Sequence, residues 1–401
     1  MTSRTVYVVD ALRTPIAKWR GGLSTVRPDD LAAHVLGALV ARQAALGARL
    51  DHVIFGATNQ AGEDNRNVAR MAVLLANLPY SVPAVTVNRL CGSGLEAVND
   101  GARMILAGEA EVVIAGGVES MTRAPYSMAK APEGFDRTPP TVYDTSLGWR
   151  YQNPRMAARF PLESMGETAE NVAEKHGISR DDQDAFAARS QEKAVKAWAN
   201  GDFAAEISPV ILPQKKGDPV VFDRDESVRE GVTKEALGKL PAIFRKGGTV
   251  TAGSSSPIND GAAAVLLASE DAVRAAGLTP LCRWVGSATV GVDPSLMGEG
   301  PIPATQKLLA RLGKRTSDLD LVELNEAFAA QSLACIRALE LDPDIVNIRG
   351  GAIALGHPIG ASGARIVGTL AHALAQTGKK TGLATLCVGV GQGIAALFER
   401  P

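Results

Sequence analysis

The residues best suited to covalent chemistry surround Cys91, within the stretch NRLCGSG at residues 88–94. A β-branched run at 82–87 predicts a buried strand before it, and apolar residues recur at helical spacing from Leu95 to Gly108. Cys91 is therefore predicted at a helix N-terminus, where free N–H groups and the helix dipole stabilise a thiolate. The competing interpretation is a buried cysteine in a tight glycine turn, which the other motifs argue against.

A second glycine-rich stretch, GGAIALGHPIGASG at residues 350–363, contains one histidine, His357. Glycines let the backbone approach a ligand closely, and a histidine in such a loop before a helix is a candidate general base. A structural histidine is the alternative. The loop also resembles a dinucleotide cradle superficially, but no acidic ribose partner follows it in an N-terminal βαβ unit.

Two further motifs each follow an apolar strand. Asn325, in ELNEAFA at residues 323–329, can hold a water or a carbonyl oxygen, although helix capping is an equally good interpretation. Cys387 opens CVGVGQG at residues 387–393 and is either an acid–base thiol or a small buried core residue.

Together these motifs supply the parts for acyl transfer. They offer a nucleophilic thiol, a histidine base, a second thiol for proton transfer, and an amide with backbone N–H groups for an oxyanion. That set suits carbanion formation beside a thioester. The sequence contains no spaced His/Asp/Glu ligand set of a metal site and no Walker loop.

The composition is that of an ordinary globular protein. The chain has 401 residues, 46% hydrophobic and 21% charged, with a formal net charge of -1. This length predicts two or three domains, and the charge gives no case for nucleic acid or a membrane surface. Four widely spaced cysteines, with no signal peptide or long apolar run, predict a reducing, cytoplasmic location.

Strands alternating with helices predict an α/β fold. The apolar runs are continuous, which favours a mostly parallel sheet covered on both faces. The regular alternation of strand and helix patterns is lost between 122 and 248, and we interpret this segment as an insertion. The predicted division is therefore an N-terminal half at 1–121 and 249–272, an inserted loop domain at 122–248, and a C-terminal half at 273–401.

The two halves resemble each other. A Gly-Ser-Gly turn at 92–94, a helix and an apolar strand at 112–117 are matched by Ala-Ser-Gly at 361–363, a helix and a strand at 382–389. This pattern predicts a duplication of one α/β unit. Packing two such units together would place a site at their junction, where loops at the strand ends meet.

The four motifs, in this order, resemble those of the thiolases, the acetyl-CoA C-acyltransferases, over nearly the whole chain. The resemblance implies two duplicated α/β halves with mixed five-stranded sheets in layered α/β/α/β/α packing. It also implies an inserted loop domain that holds coenzyme A. Members of the family are usually homotetramers.

The resemblance also implies a ping-pong mechanism without a metal, cofactor or prosthetic group, in which coenzyme A is a substrate. His357 would deprotonate Cys91, which attacks the 3-keto carbon of a 3-oxoacyl-CoA. Cys387 would protonate the departing acetyl-CoA enolate, and CoA would then thiolyse the acyl-cysteine. One oxyanion pocket would combine His357 with a water held by Asn325, and the other the N–H groups of Cys91 and Gly389.

Family contacts to the acyl-CoA carry over to six residues: Ser256, Arg229, Phe244, Met165, Met297 and Phe328. Two segments depart from common family patterns. Ser254 and Pro257 alter the pantetheine loop, and Pro257 removes a backbone donor. Ser164 precedes Met165 where short-chain biosynthetic members often carry a histidine, which weakens the case for acetoacetyl-CoA.

Residues 143–150 (YDTSLGWR) and 153–156 (NPRM) resemble the thiolase subgroup that cleaves 3-oxoadipyl-CoA to succinyl-CoA and acetyl-CoA in aromatic-compound catabolism. The distal carboxylate of that substrate needs a cation or several donors. We expect Arg123, Arg150 or Arg155 to serve, unless these arginines make surface or subunit contacts.

Three alternatives remain at this point. One is a broad 3-oxoacyl-CoA or acetoacetyl-CoA thiolase. Another is a decarboxylating condensing enzyme of the same superfamily, which would not need Cys387. The third is a non-catalytic acyl-CoA or lipid carrier, which could dispense with Cys91, His357 or Cys387, yet all three are present.

Overall fold

The computed structural model describes residues 4–131, 133–135 and 137–401. The first part of the chain folds as alternating strands and helices. In chain order these are β1 (Val6–Arg13), β2 (Ala17–Lys18), α1 (Pro28–Arg42), α2 (Ala44–Gly47), β3 (His52–Gly56), α3 (Val68–Leu75), β4 (Ala84–Val87), α4 (Ser93–Ala107) and β5 (Val112–Ser120).

The segment predicted as an insertion contains short hairpins and helices, and two further elements return the chain to the first half. They are β6 (Tyr126–Met128), β7 (Val142–Asp144), α5 (Pro154–Ala157), α6 (Met165–Lys175), α7 (Arg180–Asn200), β8 (Val210–Leu212), β9 (Val220–Phe222), α8 (Lys234–Leu237), then β10 (Asn259–Ser269) and α9 (Glu270–Ala276).

The remaining elements form the second half. They are β11 (Cys282–Gly291), α10 (Pro301–Leu312), β12 (Leu321–Leu324), α11 (Ala329–Ala338), α12 (Ala352–Leu355), α13 (Ile359–Thr377), β13 (Thr381–Val388) and β14 (Gln392–Glu399).

The sheet shows the predicted duplication. The first half has the order β4-β3-β5-β10-β1, and the second has β12-β13-β14-β11. A parallel bridge from Val322 to Val346 adds a residual fifth strand beside β12. Counted along each half, the strands therefore run in the order 3-2-4-5-1 twice. The halves join edge to edge where β1 pairs with β11.

The prediction of a mostly parallel sheet is wrong, because among the named strands of the described residues only β3 with β4 and β5, and β12 with β13, pair in parallel. The other main pairings are antiparallel. A three-residue turn joins β13 to β14, and such a short connection can only reverse the chain. The mixed sheets implied by the family resemblance are the observed arrangement.

The layers follow from where the apolar side chains are buried. One core lies between the first half's strands and α1 and α3. A second lies between the two halves and contains α4 and α13. A third lies between the second half's strands and α10 and α11. The order is therefore helices, sheet, helices, sheet, helices.

The central layer is unusually tight because α4 and α13 touch through their backbones. A Cβ atom on Gly94 would lie 2.6 Å from the backbone nitrogen of Ala364. A Cβ atom on Gly363 would lie 2.1 Å from the backbone nitrogen of Leu95. Only glycine fits at either contact, which explains two of the glycines that flank the predicted chemical residues.

Buried charges tie the insertion to the first strand. The Arg13 guanidinium lies 2.6 Å from Glu206 Oε1 and 2.7 Å from Asp225 Oδ1, with all three side chains almost fully buried. Asp225 also accepts a hydrogen bond from the backbone of Ile16. Buried charges are tolerated when paired in this way. The domain boundaries themselves stay a prediction.

Two local patterns of the sequence differ from the structure. The apolar spacing over 31–46 predicts one amphipathic helix, but the structure breaks it at Gln43, which has a non-helical conformation between α1 and α2. The sequence pattern also predicts that alternating strands and helices resume at 249–251, but this stretch is a loop in which Thr251 caps a short 3₁₀ turn, accepting hydrogen bonds from Gly253 and Ser254.

We predict that Gly94→Ala destabilises the protein, because the added methyl group meets the immovable backbone of α13. Overpacking of this kind costs about 2 kcal/mol or more. Gly37→Ala, inside α1, is the matched control, since its Cβ would lie 3.6 Å from that of Ala76. Helix propensity should make that variant about 0.5–1 kcal/mol more stable. Thermal denaturation of both variants checks this, and equal melting temperatures would contradict the account.

Candidate active site

Cys91 lies in the turn between β4 and α4, as predicted. Leu90, just before it, has a φ of 45°, a conformation that non-glycine residues rarely adopt. Asn88 Oδ1 accepts a hydrogen bond from the Leu90 backbone, and Ser93 Oγ accepts one from the Arg89 backbone. These side chains hold the sharp turn that presents the thiol ahead of the helix.

The electrostatics of Cys91 differ from the prediction. Burial is the largest influence and raises the pKa of the thiol to about 11, and the charge of Glu119 acts in the same direction. Hydrogen bonds from the N–H groups of Gly389 and of Cys91 itself lower the pKa, but by less. The resting group is therefore a thiol, and a base must remove its proton.

His357 is suited to that task. Its Nδ1 lies 2.6 Å from Ser362 Oγ, and the Ser362 hydroxyl donates to the carbonyl of Pro358 at 3.0 Å. Because the Ser362 hydroxyl uses its proton in the hydrogen bond to Pro358, Ser362 Oγ must accept from Nδ1–H of His357. The free lone pair of the imidazole is therefore on Nε2. Burial, followed by the positive charge of Arg365, lowers the pKa of His357 to about 4. The ring is therefore neutral near pH 7.

Asn325 lies directly beside the basic nitrogen. Its Nδ2 is 3.4 Å from His357 Nε2, and its backbone donates to Thr385 at 3.0 Å. Its Oδ1 is buried without a hydrogen-bond partner among the described residues. The Asn325 amide and the His357 imidazole can therefore both hydrogen-bond to one polar atom placed between them.

Cys387 lies at the end of β13 and is 1% exposed. Burial raises the pKa of this thiol well above its usual value, and the charges of Cys91 and Cys335 act in the same direction. The side chain belongs to an apolar cluster with Met297 and Phe328. A thiol that stays protonated near pH 7 can donate a proton to a carbanion.

The structure brings most of the predicted acyl-CoA contacts to this cluster. Met165 and Phe244 pack against it, and Phe244 meets Phe328 edge to face with ring centroids 6.0 Å apart. A Cβ on Gly389 would lie 3.5 Å from Met165 Sδ. Gly389 therefore contacts both the Cys91 thiol and the apolar cluster.

The other two residues predicted to contact the acyl-CoA, Ser256 and Arg229, differ in their position relative to this cluster. The backbone N–H of Ser256 donates to Ala327 at 3.0 Å, beside Phe328. Arg229 is exposed, and its backbone donates to Gln191 at 2.9 Å. Among the described residues, its guanidinium makes no hydrogen bond or ion pair that would join it to the cluster.

Sequence reasoning missed two residues of the site, Ser362 and Glu119. Glu119 is buried at the end of β5 and accepts hydrogen bonds from Thr58, Asn59 and the backbone of Gly360. It thus links the first half to the loop after His357, and burial raises its pKa to about 7. Ser362 could have been found from its place in the histidine motif, whereas nothing in the pattern marks Glu119.

In the part of the chain that the structure describes, no group of three or more His, Cys, Asp or Glu side chains is placed to hold a metal ion. No helix there is both long and apolar enough to span a membrane.

Comparison with known proteins identifies the class. Residues 6–271 match the N-terminal domain of thiolases, and residues 278–400 match the C-terminal domain. The chain therefore belongs to the thiolase family, as the four motifs indicated.

Individual relatives cover the whole chain. Beta-ketoadipyl-CoA thiolase from Acinetobacter baylyi is 54% identical over 397 residues, spanning 98% of this chain and 99% of that protein. An Escherichia coli protein named 3-oxoadipyl-CoA/3-oxo-5,6-dehydrosuberyl-CoA thiolase is 53% identical, spanning 99% and 100%. The crystal structure of Bacillus anthracis acetyl-CoA acetyltransferase superposes with a TM-score of 0.93 at 40% identity, covering 100% of this chain and 99% of that one. These likenesses confirm the predicted fold.

We predict that Ser362→Ala lowers kcat by about ten- to a hundredfold with little change in KM. The substitution leaves the buried Nδ1–H of His357 without an acceptor, at a cost of roughly 1–3 kcal/mol. Ser332→Ala is the matched control, since Ser332 is a buried helical serine whose hydroxyl has no partner among the described residues. Steady-state kinetics of both variants check this, and an equal kcat in the two would contradict the role of Ser362.

Proposed function

We propose that this thiolase cleaves 3-oxoadipyl-CoA with CoA to give succinyl-CoA and acetyl-CoA. The observation that carries the proposal is full-length identity of 53–54% to relatives named for that substrate or its synonym. The charge of the substrate also fits a chain whose segment over 143–156 contains arginines that a neutral acyl group would not need.

In the proposed reaction, His357 Nε2 takes the proton of Cys91, and the thiolate attacks C3 of the substrate. The N–H groups of Cys91 and Gly389, which already point at the sulfur, would stabilise the resulting oxyanion. The C2–C3 bond then breaks and leaves a succinyl group on Cys91. The acetyl-CoA enolate takes its proton from Cys387, while His357 and Asn325 hold the enolate oxygen.

The second half-reaction reverses the proton transfers. A CoA thiol gives its proton to the Cys387 thiolate and attacks the succinyl-cysteine. Succinyl-CoA leaves, and Cys91 recovers its proton from His357. The apolar cluster of Met165, Met297, Phe244 and Phe328 would hold the pantetheine arm together with Ser256, and Arg229 would lie near the nucleotide end.

Assembly and location form part of the proposal. Strand β4 lies at the edge of the sheet; its own Val85 is 41% exposed, and Tyr80, which precedes it, is 84% exposed. The β6–β7 hairpin exposes Tyr126, at 74%. Apolar edges and patches of this kind favour contacts between copies, which supports the homotetramer. The four cysteines are free thiols, in keeping with a cytoplasmic location.

A second candidate is an acetoacetyl-CoA thiolase. Its support is the likeness to the Bacillus anthracis acetyl-CoA acetyltransferase, which covers the whole chain at 40% identity. The two candidates share every catalytic residue proposed here, so only the acyl group distinguishes them.

We predict that kcat/KM for thiolysis of 3-oxoadipyl-CoA exceeds that for acetoacetyl-CoA by tenfold or more, which is about 1.4 kcal/mol of transition-state binding. The physical reason is that the distal carboxylate contributes binding energy only when a cation faces it. Both substrates are assayed side by side with CoA, with Cys91→Ala as the inactive control. Equal or reversed preference would favour the second candidate, and cleavage of neither would overturn the mechanism.

A further inference from the structure

We propose that Arg150 binds the distal carboxylate of the acyl group and so sets the preference for a dicarboxylate substrate. This inference rests on the function proposed above and names the residue that carries its specificity. It comes from comparing the surroundings of the three candidate arginines.

The Arg123 guanidinium is already paired with a carboxylate of the protein. Its Nε lies 2.5 Å from Glu63 Oε2 and its Nη2 2.6 Å from Glu63 Oε1, while Nη1 donates to the carbonyl of Ser24 at 3.0 Å. The guanidinium lowers the pKa of Glu63, which keeps that partner ionised. A substrate carboxylate would have to displace a bidentate ion pair, so Arg123 is a structural cation.

Arg155 lies on the short helix α5 and is exposed. Its backbone N–H donates to Asn153 Oδ1 at 2.9 Å, and its guanidinium has no carboxylate partner among the described residues. A guanidinium in open solvent gains little from an ion pair, because water and salt screen the attraction. Arg155 would therefore contribute little to the preference for a dicarboxylate substrate.

Arg150 differs from both. It is half-buried, and its Nη1 donates to the backbone carbonyl of Thr145 at 3.4 Å. Among the described residues, no carboxylate lies within ion-pair distance of it. A half-buried guanidinium that has no carboxylate partner among the described residues is a favourable site for an anionic ligand, since part of its desolvation cost is already met by the fold.

The residues on either side of Arg150 are anchored. Trp149 donates from its indole nitrogen to the carbonyl of Glu163 at 3.0 Å, and the Tyr151 ring meets the Tyr143 ring at a tilt of 54°, with ring centroids 4.8 Å apart. These contacts fix the position of the segment that carries Arg150.

A continuous set of hydrogen bonds links Arg150 to the catalytic residues. Thr145 Oγ1 accepts from Asn59 Nδ2 at 2.9 Å, and the Asn59 backbone donates to Glu119 Oε1 at 3.2 Å. Glu119 in turn accepts from Gly360, three residues after His357. Three residues, Thr145, Asn59 and Glu119, therefore connect Arg150 to the loop that carries the base.

The sheet topology places the nucleophile on the same side. Strands β3, β4 and β5 are parallel to one another, so their carboxyl ends share one edge. Asn59 follows β3, Cys91 follows β4, and Glu119 ends β5. In 3-oxoadipyl-CoA the carboxylate is only three carbon–carbon bonds beyond the carbon that Cys91 attacks. The selecting cation must therefore lie beside this edge, as Arg150 does.

The experiment compares two substrates of equal chain length, 3-oxoadipyl-CoA and 3-oxohexanoyl-CoA, which differ only in the distal carboxylate. The quantity is the ratio of their kcat/KM values, which cancels any general loss of activity. We expect Arg150→Ala to lower the wild-type ratio by about 30-fold, equal to about 2 kcal/mol. Arg150→Lys should recover part of the ratio, because lysine restores the positive charge but not the bidentate donor geometry of the guanidinium.

Arg155→Ala is the matched control from the same segment and should keep the wild-type ratio. The melting temperature of each variant reports whether it is folded. A wild-type ratio retained by Arg150→Ala, or lost equally in Arg155→Ala, would overturn the assignment of Arg150 while leaving the proposed substrate intact. If the wild-type protein itself shows no preference for the dicarboxylate, the proposed substrate and this inference fall together, and that outcome is visible before any variant is made.

Discussion

The backbone contact between α4 and α13 is the constraint on which the site depends. Cys91 precedes one of these helices, and His357 precedes the other. The helices touch at Gly94 and Gly363, where a single methyl group has no room. Each half supplies one member of the reactive pair, and neither half has the parts for catalysis alone. Glu119 strengthens the junction, since its carboxylate binds donors from both halves.

Burial at this junction determines the protonation states. The same desolvation raises the pKa of Cys91 to about 11 and lowers that of His357 to about 4, because it penalises the charged form of each group. Between these values both groups are neutral. Their neutrality makes the proton transfer the first step of the chemistry, and the N–H groups of Cys91 and Gly389 are placed to stabilise charge as it develops.

Much of the fold and site could be predicted because the chemical residues lie inside short motifs. Cys91 and His357 each precede a helix whose apolar spacing is visible, and the internal repeat between the halves indicated a shared junction. Strand direction was harder to predict from the sequence, because continuous apolar runs occur in buried strands of either orientation. Burial of Cys91 also depends on the whole assembly, so the helix terminus alone predicted a thiolate where the structure favours a thiol.

The roles of single polar side chains were the hardest to predict. Glu119 ends an apolar strand without any motif, and its donors come from residues about 60 and 240 positions away. The pairing of Arg123 with Glu63 likewise joins distant positions. Sequence spacing carries no information about such contacts, because they arise when separate elements meet at one sheet edge.

The most direct test of this account is the pH dependence of Cys91 alkylation by iodoacetamide, followed by mass spectrometry of the intact protein and its peptides. Cys91 is half-buried whereas the other three cysteines are fully buried, so Cys91 should react selectively. If burial keeps Cys91 a thiol, the rate should rise about tenfold per pH unit from pH 7 to 9 with no plateau, because only the thiolate reacts. A rate that is already constant across this range would show a resting thiolate and would contradict the account.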